Sequence, residues 1–470
     1  MIKQSALKTI LRCKPVVQFL SGEQEDGQPL ARTIGLFQLT MLGVGATIGT
    51  GIFVALTTAV PEAGPAVTVS FVIAGITAAL TALCYAELAS CVPAAGSSYS
   101  YAYATLGEMA AFLIGACLLL EYGVSASAIA VGWGQYLNEL LTVLTGWRLP
   151  DAIASPPGRG GIVNLPAVLL VLMCMTLLLR GARESSTANA ILVLAKLAVL
   201  ALFVAIALAH MSTHNFHPFA PRGMLGIGSA ASSIFFSYIG IDAVSTAAEE
   251  VKNPRRNLPL AIMLSLLIVT GAYVLVAVAA VGAQPWTVFA GQEAGLAVIL
   301  HHLTGAAWPA VVLSLGAIAS IFSVTLVVLF GQTRILYAMS RDGLLPAFFS
   351  KIDPVRHVPR QNTWVVSIGV AIFAALAPLD VLVNLTSMGT LIAFATVSAG
   401  VIILRRTQPS LSRGYQVPLY PLLPTASVAF CLYLIAGLPA DTYLLFAAWI
   451  GGACLIYFGY SIRRSALVTG

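Results

Sequence analysis

Two short stretches combine glycine with hydroxyl or acidic residues inside long apolar runs. The first is G-A-T-I-G-T-G-I-F at Gly45–Phe53, and the second is F-F-S-Y-I-G-I-D-A-V at Phe235–Val244. Glycine weakens a helix, so both stretches predict an interruption. An interrupted helix exposes backbone N–H groups at one new end and carbonyl groups at the other. The N–H groups suit a carboxylate and the carbonyls suit an ammonium, so two interruptions can bind both ends of an amino acid.

The glycines of the first stretch have a second interpretation. Small residues let membrane helices pack closely, and Gly43, Gly45, Gly49 and Gly51 can serve that purpose alone. Against this stands the cost of unpaired backbone groups in lipid, which is several kcal/mol for each group. An interruption is therefore expected where it lines a cavity or meets a ligand.

A lysine lies within another apolar run, in N-A-I-L-V-L-A-K-L-A-V-L, where the lysine is Lys196. A charge at the centre of a membrane helix costs about 2.5–3.5 kcal/mol on insertion scales. We interpret Lys196 as a proton-coupling residue, because burial lowers the pKa of a lysine toward values at which it can exchange a proton. The alternative is a structural role, in which Lys196 pairs with an acid or with backbone carbonyls.

Two acidic residues also lie within apolar runs. Asp242 follows the second interruption, and Glu121 lies deep in L-L-L-E-Y-G. Either carboxylate can face the side chain of the substrate, where low dielectric favours a cationic partner. Alternatively, Asp242 caps the second half-helix and Glu121 pairs with another buried polar group.

The composition defines the class of protein. Of 470 residues, 59% are apolar and 9% are charged, and the mean hydropathy is +0.92. Soluble domains carry about 25% charged residues, so this chain is predicted to be an all-α integral membrane protein. The net charge of +6 is spread over short gaps between apolar runs, which argues against nucleic acid as a partner.

Motifs for catalysis or for metal and nucleotide binding are missing from the sequence. The seven cysteines form no C-x-x-C pair, and no H-E-x-x-H, G-x-S-x-G or G-x-x-x-x-G-K-[ST] motif occurs. We therefore expect no enzyme activity, no metal, no cofactor other than a coupling proton, and no ATP-binding subunit. The expected partners are the lipid bilayer and a small substrate.

Twelve apolar runs are predicted to span the membrane. They lie at about 36–60, 66–91, 104–140, 164–180, 187–210, 224–248, 258–283, 309–339, 363–378, 385–404, 418–437 and 442–462. With both termini in the cytoplasm, 20 of the 24 lysines and arginines fall on the cytoplasmic side. The two interrupted runs are the first and the sixth, and paired interruptions in two halves are typical of inverted-repeat transporters.

This pattern divides the chain into four parts. Residues 1–35 form a cytoplasmic tail, 36–210 hold spans 1–5, and 211–404 hold spans 6–10 as an inverted second repeat. Residues 405–470 hold spans 11 and 12 and a short cytoplasmic C-terminus.

Five motifs resemble the amino acid–polyamine–organocation superfamily, and within it the bacterial relatives of cationic amino acid transporters. They are LTMLGVGATIGTGIFV (39–54), PAAGSSY (93–99), YIGIDAVSTAAEEVKNPRRNLP (238–259), GQTRILYAMSRDGLLP (331–346) and RRTQP (405–409). The resemblance implies a LeuT-like fold of two inverted five-helix repeats plus two C-terminal helices. Helices 1 and 6 are then unwound in mid-membrane, and access to a central site alternates between the two sides.

The resemblance also implies a set of site residues. The substrate carboxylate would meet the backbone at Gly49, Thr50 and Gly51, and the ammonium would meet carbonyls near Phe236, Ser237 and Ile239. A lysine on the fifth span, here Lys196, stands where sodium binds in other members of the fold. Thr47 departs from the family pattern, which has isoleucine, and places a hydroxyl group at the pocket.

These observations together predict a secondary active amino acid transporter of the cytoplasmic membrane. The expected activity is proton-coupled uptake of α-amino acids, with cationic ones among the candidates. The alternatives are an amino acid exchanger, a receptor that binds amino acids without transporting them, and, least favoured, a membrane-embedded enzyme.

Overall fold

The computed structural model describes residues 12–14, 34–92, 97–181, 186–240, 244, 251–353, 356, 358–411 and 413–465. Regular structure in this part of the chain is helical. Its only strand-like pairing is an isolated parallel bridge between Ile34 and Val251. The all-α class predicted from composition is thus confirmed for the described residues.

The described α-helices are numbered in chain order. They are α1 (Leu36–Thr47), α2 (Thr50–Ala63), α3 (Val67–Cys91), α4 (Ser97–Thr105), α5 (Glu108–Thr145), α6 (Asp151–Ala154), α7 (Leu165–Leu179), α8 (Ser186–Ala209), α9 (Gly223–Ile234), α10 (Pro254–Ala283), α11 (Gly295–Thr304), α12 (Ala307–Arg341), α13 (Arg360–Leu376), α14 (Leu379–Thr407), α15 (Leu422–Ala436), α16 (Ala440–Ile456) and α17 (Ile462–Arg464). Short 3₁₀ turns lie at Gly64–Ala66, Thr213–Phe216, Phe235–Tyr238, Trp286–Phe289 and Ala347–Ser350, and a π-helical turn lies at Tyr457–Ser461.

Helix ends follow local residue chemistry. The Asn164 side chain accepts a hydrogen bond of 3.1 Å from the backbone N–H of Ala167, and a proline stands in the first turn of α7. At the other end of a helix, α5 stops at Gly146, whose φ of 72° is left-handed. The predicted runs overlap the observed helices without matching their ends: α5 begins at Glu108 rather than 104, and α14 at Leu379 rather than 385.

Seven helical stretches of the described chain are long and apolar enough to cross a membrane. They are Gly51–Cys91, Glu108–Thr145, Asn189–Ala209, Arg256–Ala283, Ala307–Arg341, Leu379–Thr407 and Ala440–Arg464. Shorter apolar helices include α1, α7, α11 and α15. The protein is therefore a multi-helix membrane protein, whereas the count of twelve spans and the orientation of the termini stay predictions.

The long helix α5 lies at the centre of the packing. It is 38 residues long, α12 is 35, and both exceed the roughly 20 residues that one crossing needs. Helix α5 packs along α12 and α14, and it buries a larger share of its apolar window than the other six stretches. The stretch that contains α16 buries the smallest share, as expected for a helix that faces lipid. The interrupted helices pack beside this centre. Helix α1 packs against α10 and α8, whereas α9 packs against α2 and α3.

Candidate functional site

The first predicted interruption is a two-residue gap between α1 and α2. Helix α1 ends at Thr47, Ile48 has φ −76° and ψ 78°, and Gly49 has φ −112° and ψ −132°. The Gly49 N–H donates to the Thr47 carbonyl at 2.8 Å in place of a helical partner. Helix α2 then begins at Thr50, and no side chain of the described residues caps its start. The first N–H groups of α2 therefore lack helical partners.

The second predicted interruption follows α9. The chain passes through the 3₁₀ turn Phe235–Tyr238 into extended backbone at Ile239, with φ −63° and ψ 144°. Gly240 has a φ of 99°, which a residue with a side chain rarely adopts. A Cβ added to Gly240 would also lie only 2.6 Å from the Ala46 carbonyl oxygen, so the two interruptions are in direct contact. Asp242 lies outside the described residues.

A small cavity lies where the two interruptions meet. Its volume is about 20 Å³, which is room for about one water molecule. An amino acid needs more room than this. The residues that line it are Ala46, Thr47, Gly49, Gly51, Ser125, Ile129, Phe236, Ile239, Val324 and Val328.

Most residues predicted for the substrate site lie together at this cavity. Thr47, Gly49, Gly51, Phe236 and Ile239 line it. Ser237 lies directly behind Gly51, because a Cβ added to that glycine would fall 2.5 Å from the Cα of Ser237. The Thr47 hydroxyl, which was expected to face the pocket, donates to the Gly43 carbonyl at 2.8 Å and is therefore hydrogen-bonded to the backbone of α1.

Glu121 is placed elsewhere on α5. It is buried, with 1% of its surface exposed, one helical turn before Ser125. The described lining of the cavity includes Ser125 but not Glu121. A Cβ added to Gly389 of α14 would lie 3.6 Å from the Cβ of Glu121, which puts the carboxylate residue at the contact between α5 and α14.

Lys196 lies on α8 behind the first interruption. Its Nζ donates to the carbonyl oxygens of Gly45 at 3.1 Å and Ile48 at 3.3 Å, and the residue is 4% exposed. The Ser320 hydroxyl donates to the same Ile48 carbonyl at 3.3 Å. These carbonyls belong to the C-terminal end of α1, where the helix dipole favours a cation. The lysine is thus bound to the broken backbone itself.

Sequence reasoning missed the wall of the cavity opposite the interruptions. Ser125 and Ile129 of α5 and Val324 and Val328 of α12 form it. In each helix the two residues are four apart, which puts them on one face. That spacing was visible in the sequence, but it recurs throughout an apolar helix and does not mark one face above another.

A buried ion pair connects two of the surrounding helices. Arg405, near the end of α14, donates through Nε to Oε1 of Glu87 at 2.7 Å and through Nη2 to Oε2 at 2.6 Å. The backbone N–H of Val417 also donates to Oε2 at 2.7 Å. Glu87 lies near the end of α3, so this bidentate contact connects α3 to α14 and to the segment that follows α14.

Comparison with known proteins assigns the chain to a family. Residues 34–453 match the model of the family described as amino acid permease. The chain therefore belongs to the amino acid permease family, a group of membrane transporters. It is 43% identical over 458 residues to the branched-chain amino acid permease BcaP of Bacillus subtilis, covering 97% of this chain and 98% of that protein.

Other relatives carry different substrate names. The methylthioribose transporter of Bacillus subtilis is 41% identical over 465 residues, covering 98% of this chain and 100% of that protein. The vacuolar cationic amino acid transporter 4 of Arabidopsis thaliana is 38% identical over 413 residues, covering 86% of this chain and 68% of that protein. All three names describe transport rather than catalysis, in line with a protein that is not an enzyme.

Proposed function

We propose that the protein is a secondary active transporter that carries α-amino acids across the cytoplasmic membrane together with protons. The observation that carries this proposal is the contact between two interrupted helices around a small cavity. Similarity to a named amino acid permease over nearly the whole chain supports it.

The backbone of the substrate is proposed to bind between the interruptions. Its carboxylate meets the backbone at Gly49, Thr50 and Gly51, where the start of α2 favours an anion, and the Gly49 N–H leaves the Thr47 carbonyl to reach it. Its ammonium meets the carbonyls of Phe236, Ser237 and Ile239. Gly49 lets α12 pack closely against this end of the site, because a Cβ at Gly49 would lie 2.9 Å from Cγ1 of Val324.

The side chain of the substrate is proposed to be neutral and aliphatic. It would point toward the opposite wall, where Ile129, Val324 and Val328 offer apolar surface and Ser125 offers one hydroxyl. Two bacterial relatives are named for branched-chain amino acids, which fits such a wall. The two carboxylates that would favour a cationic substrate are those of Glu121 and Asp242. Glu121 lies toward α14, so a cationic side chain is supported only by Asp242 and by relatives named cationic amino acid transporters, such as the vacuolar one of Arabidopsis thaliana.

The proposed architecture is a twelve-span, LeuT-like fold with both termini in the cytoplasm. Spans 1–5 and 6–10 form two inverted repeats, and spans 1 and 6 are unwound at mid-membrane. The position of the two interruptions, five predicted spans apart, supports this assignment. The small volume of the cavity supports alternating access, since the walls must separate toward one side before an amino acid can enter.

Lys196 is proposed to couple transport to protons. The ammonium donates to the carbonyls of Gly45 and Ile48, so its charge is stabilised by the geometry of the first interruption. Movement of that backbone removes these acceptors from a buried cation, which favours loss of the proton. Protonation of Lys196 and the present shape of the first interruption are then linked, because each stabilises the other.

The test is uptake of a labelled panel into proteoliposomes with and without an inward proton gradient. The panel contains leucine, isoleucine, valine, alanine, phenylalanine, arginine, lysine and methylthioribose. We expect gradient-driven accumulation of neutral aliphatic amino acids. Flux that requires internal amino acid and ignores the gradient would indicate an exchanger, and binding without flux would indicate a receptor. Uptake of methylthioribose alone would refute an amino acid substrate.

The coupling role is tested with Lys196→Met beside Lys252→Met, a matched change at an exposed lysine. We expect Lys196→Met to lose accumulation against a gradient while counterflow exchange of substrate persists. Lys252→Met should behave as the wild type. Full gradient-driven accumulation by Lys196→Met would refute the coupling role.

A further inference from the structure

Tyr273 of α10 contacts both interruptions through one hydroxyl group. Its Oη lies 2.9 Å from the carbonyl oxygen of Thr47, the last residue of α1. The same atom lies 2.9 Å from the carbonyl oxygen of Ser237 in the 3₁₀ turn of the second interruption. The side chain is fully buried. Two points 190 residues apart in the chain are therefore joined by one side chain from a third helix.

Aromatic packing fixes the position of this hydroxyl. The Tyr273 ring meets Tyr238 edge to face at 5.5 Å and Phe71 at 5.9 Å. Tyr238 is held in turn, because its hydroxyl donates to the Phe71 carbonyl at 3.0 Å. Tyr238 belongs to the 3₁₀ turn of the second interruption, so the Tyr273 Oη cannot follow the first interruption without a change in the packing of these rings.

The two acceptors compete for one proton. A phenol hydroxyl donates a single hydrogen bond, whereas each carbonyl oxygen has two lone pairs. With both carbonyls at the same distance, the Tyr273 proton is shared between them, and each carbonyl retains capacity for another donor. A substrate ammonium carries three N–H donors and can use that capacity.

We propose that Tyr273 is a positioning residue that links occupancy of the second interruption to the shape of the first. This inference rests on the proposed function, in which the ammonium binds carbonyls at Phe236, Ser237 and Ile239. When the ammonium donates to the Ser237 carbonyl, the Tyr273 proton is available to Thr47 alone. The end of α1 then gains a stronger donor close to the carbonyls that hold Lys196. Without substrate, the shared proton holds the two interruptions together.

The test removes the hydroxyl and keeps the ring. Tyr273→Phe is compared with Tyr136→Phe, because Tyr136 is equally buried and its hydroxyl donates at 2.9 Å to the carbonyl of Phe53, within α2, rather than to a residue of either interruption. Uptake kinetics are measured with the amino acid of the panel that the wild type transports fastest. We expect Tyr273→Phe to raise KM about tenfold, the size expected for one lost buried hydrogen bond, with kcat per folded transporter within about twofold.

A structural role would give a different result. It would lower the thermal midpoint and the amount of folded protein in both variants and leave their KM values alike. Equal KM values in Tyr273→Phe and Tyr136→Phe, or a loss confined to kcat, would overturn the inference while leaving the proposed function intact. Absence of uptake or binding of every panel member by the wild type would instead overturn the proposed function, and the positioning role with it.

Discussion

Gly51→Ala tests the contact on which the substrate site depends. A Cβ added at Gly51 would lie 2.5 Å from the Cα and 2.6 Å from the Cβ of Ser237. Carbon atoms in ordinary contact stand about 3.5–4.0 Å apart, so the two interruptions would have to separate by about 1 Å. The nearest atom belongs to the backbone, so rotation of the Ser237 side chain cannot relieve the overlap.

The size of the effect follows from that displacement. A shift of about 1 Å in a preorganised site costs on the order of 10²-fold in function, and overpacking costs about 1–3 kcal/mol of stability. We therefore expect Gly51→Ala to bind the transported amino acid about 100-fold more weakly. Binding is measured with labelled substrate on purified protein in detergent, and the thermal midpoint is recorded on the same samples to count only folded transporter.

Gly369→Ala is the matched control. Gly369 lies within α13, and a Cβ added there meets no atom within 4 Å. We expect unchanged substrate affinity and a thermal midpoint equal to or slightly above that of the wild type, because alanine favours the helix. Wild-type affinity in Gly51→Ala would refute the reasoning, since it would mean that the interruptions do not meet as described.

Two further predictions follow from the wall of the site and from the buried ion pair. Replacing both Val324 and Val328 by alanine should enlarge the space beside the apolar wall. In the uptake panel, KM for phenylalanine should then fall about tenfold or more relative to KM for valine. An unchanged ratio of the two KM values would mean that the substrate side chain lies elsewhere. Glu87→Gln should lower stability by about 3 kcal/mol in thermal unfolding, because it leaves Arg405, whose side chain is 16% exposed, without its charge partner. Glu62→Gln, at an exposed pair, should change stability by less than about 1 kcal/mol, and equal shifts in the two variants would contradict this assignment.

The sequence predicted the interruptions more accurately than the rest of the site. Gly49 lies in the gap between α1 and α2, and Gly240 follows the 3₁₀ turn at which α9 ends, because a helix weakened by glycine leaves a local signal. The placement of Lys196 at broken backbone was also open to prediction, since an isolated lysine in an apolar run must find acceptors nearby. Glu121 shows the limit of such reasoning: its depth could be predicted, but the helix that it faces could not.

The amino-acid sequence by itself determined the membrane class, the long apolar helices, the end of α1 beside Gly49 and the extended backbone that follows α9 at Ile239 and Gly240. These properties depend on composition, on the length of apolar runs and on glycine, all of which act within a few residues of the chain. The tertiary structure alone decided that Gly51 abuts Ser237, that Val324 and Val328 complete the wall, and that Tyr273 contacts both breaks. In helices that are apolar on every side, no hydrophobic face sets the rotation of one helix about its axis, so packing against the neighbouring helices selects which side chains meet the site.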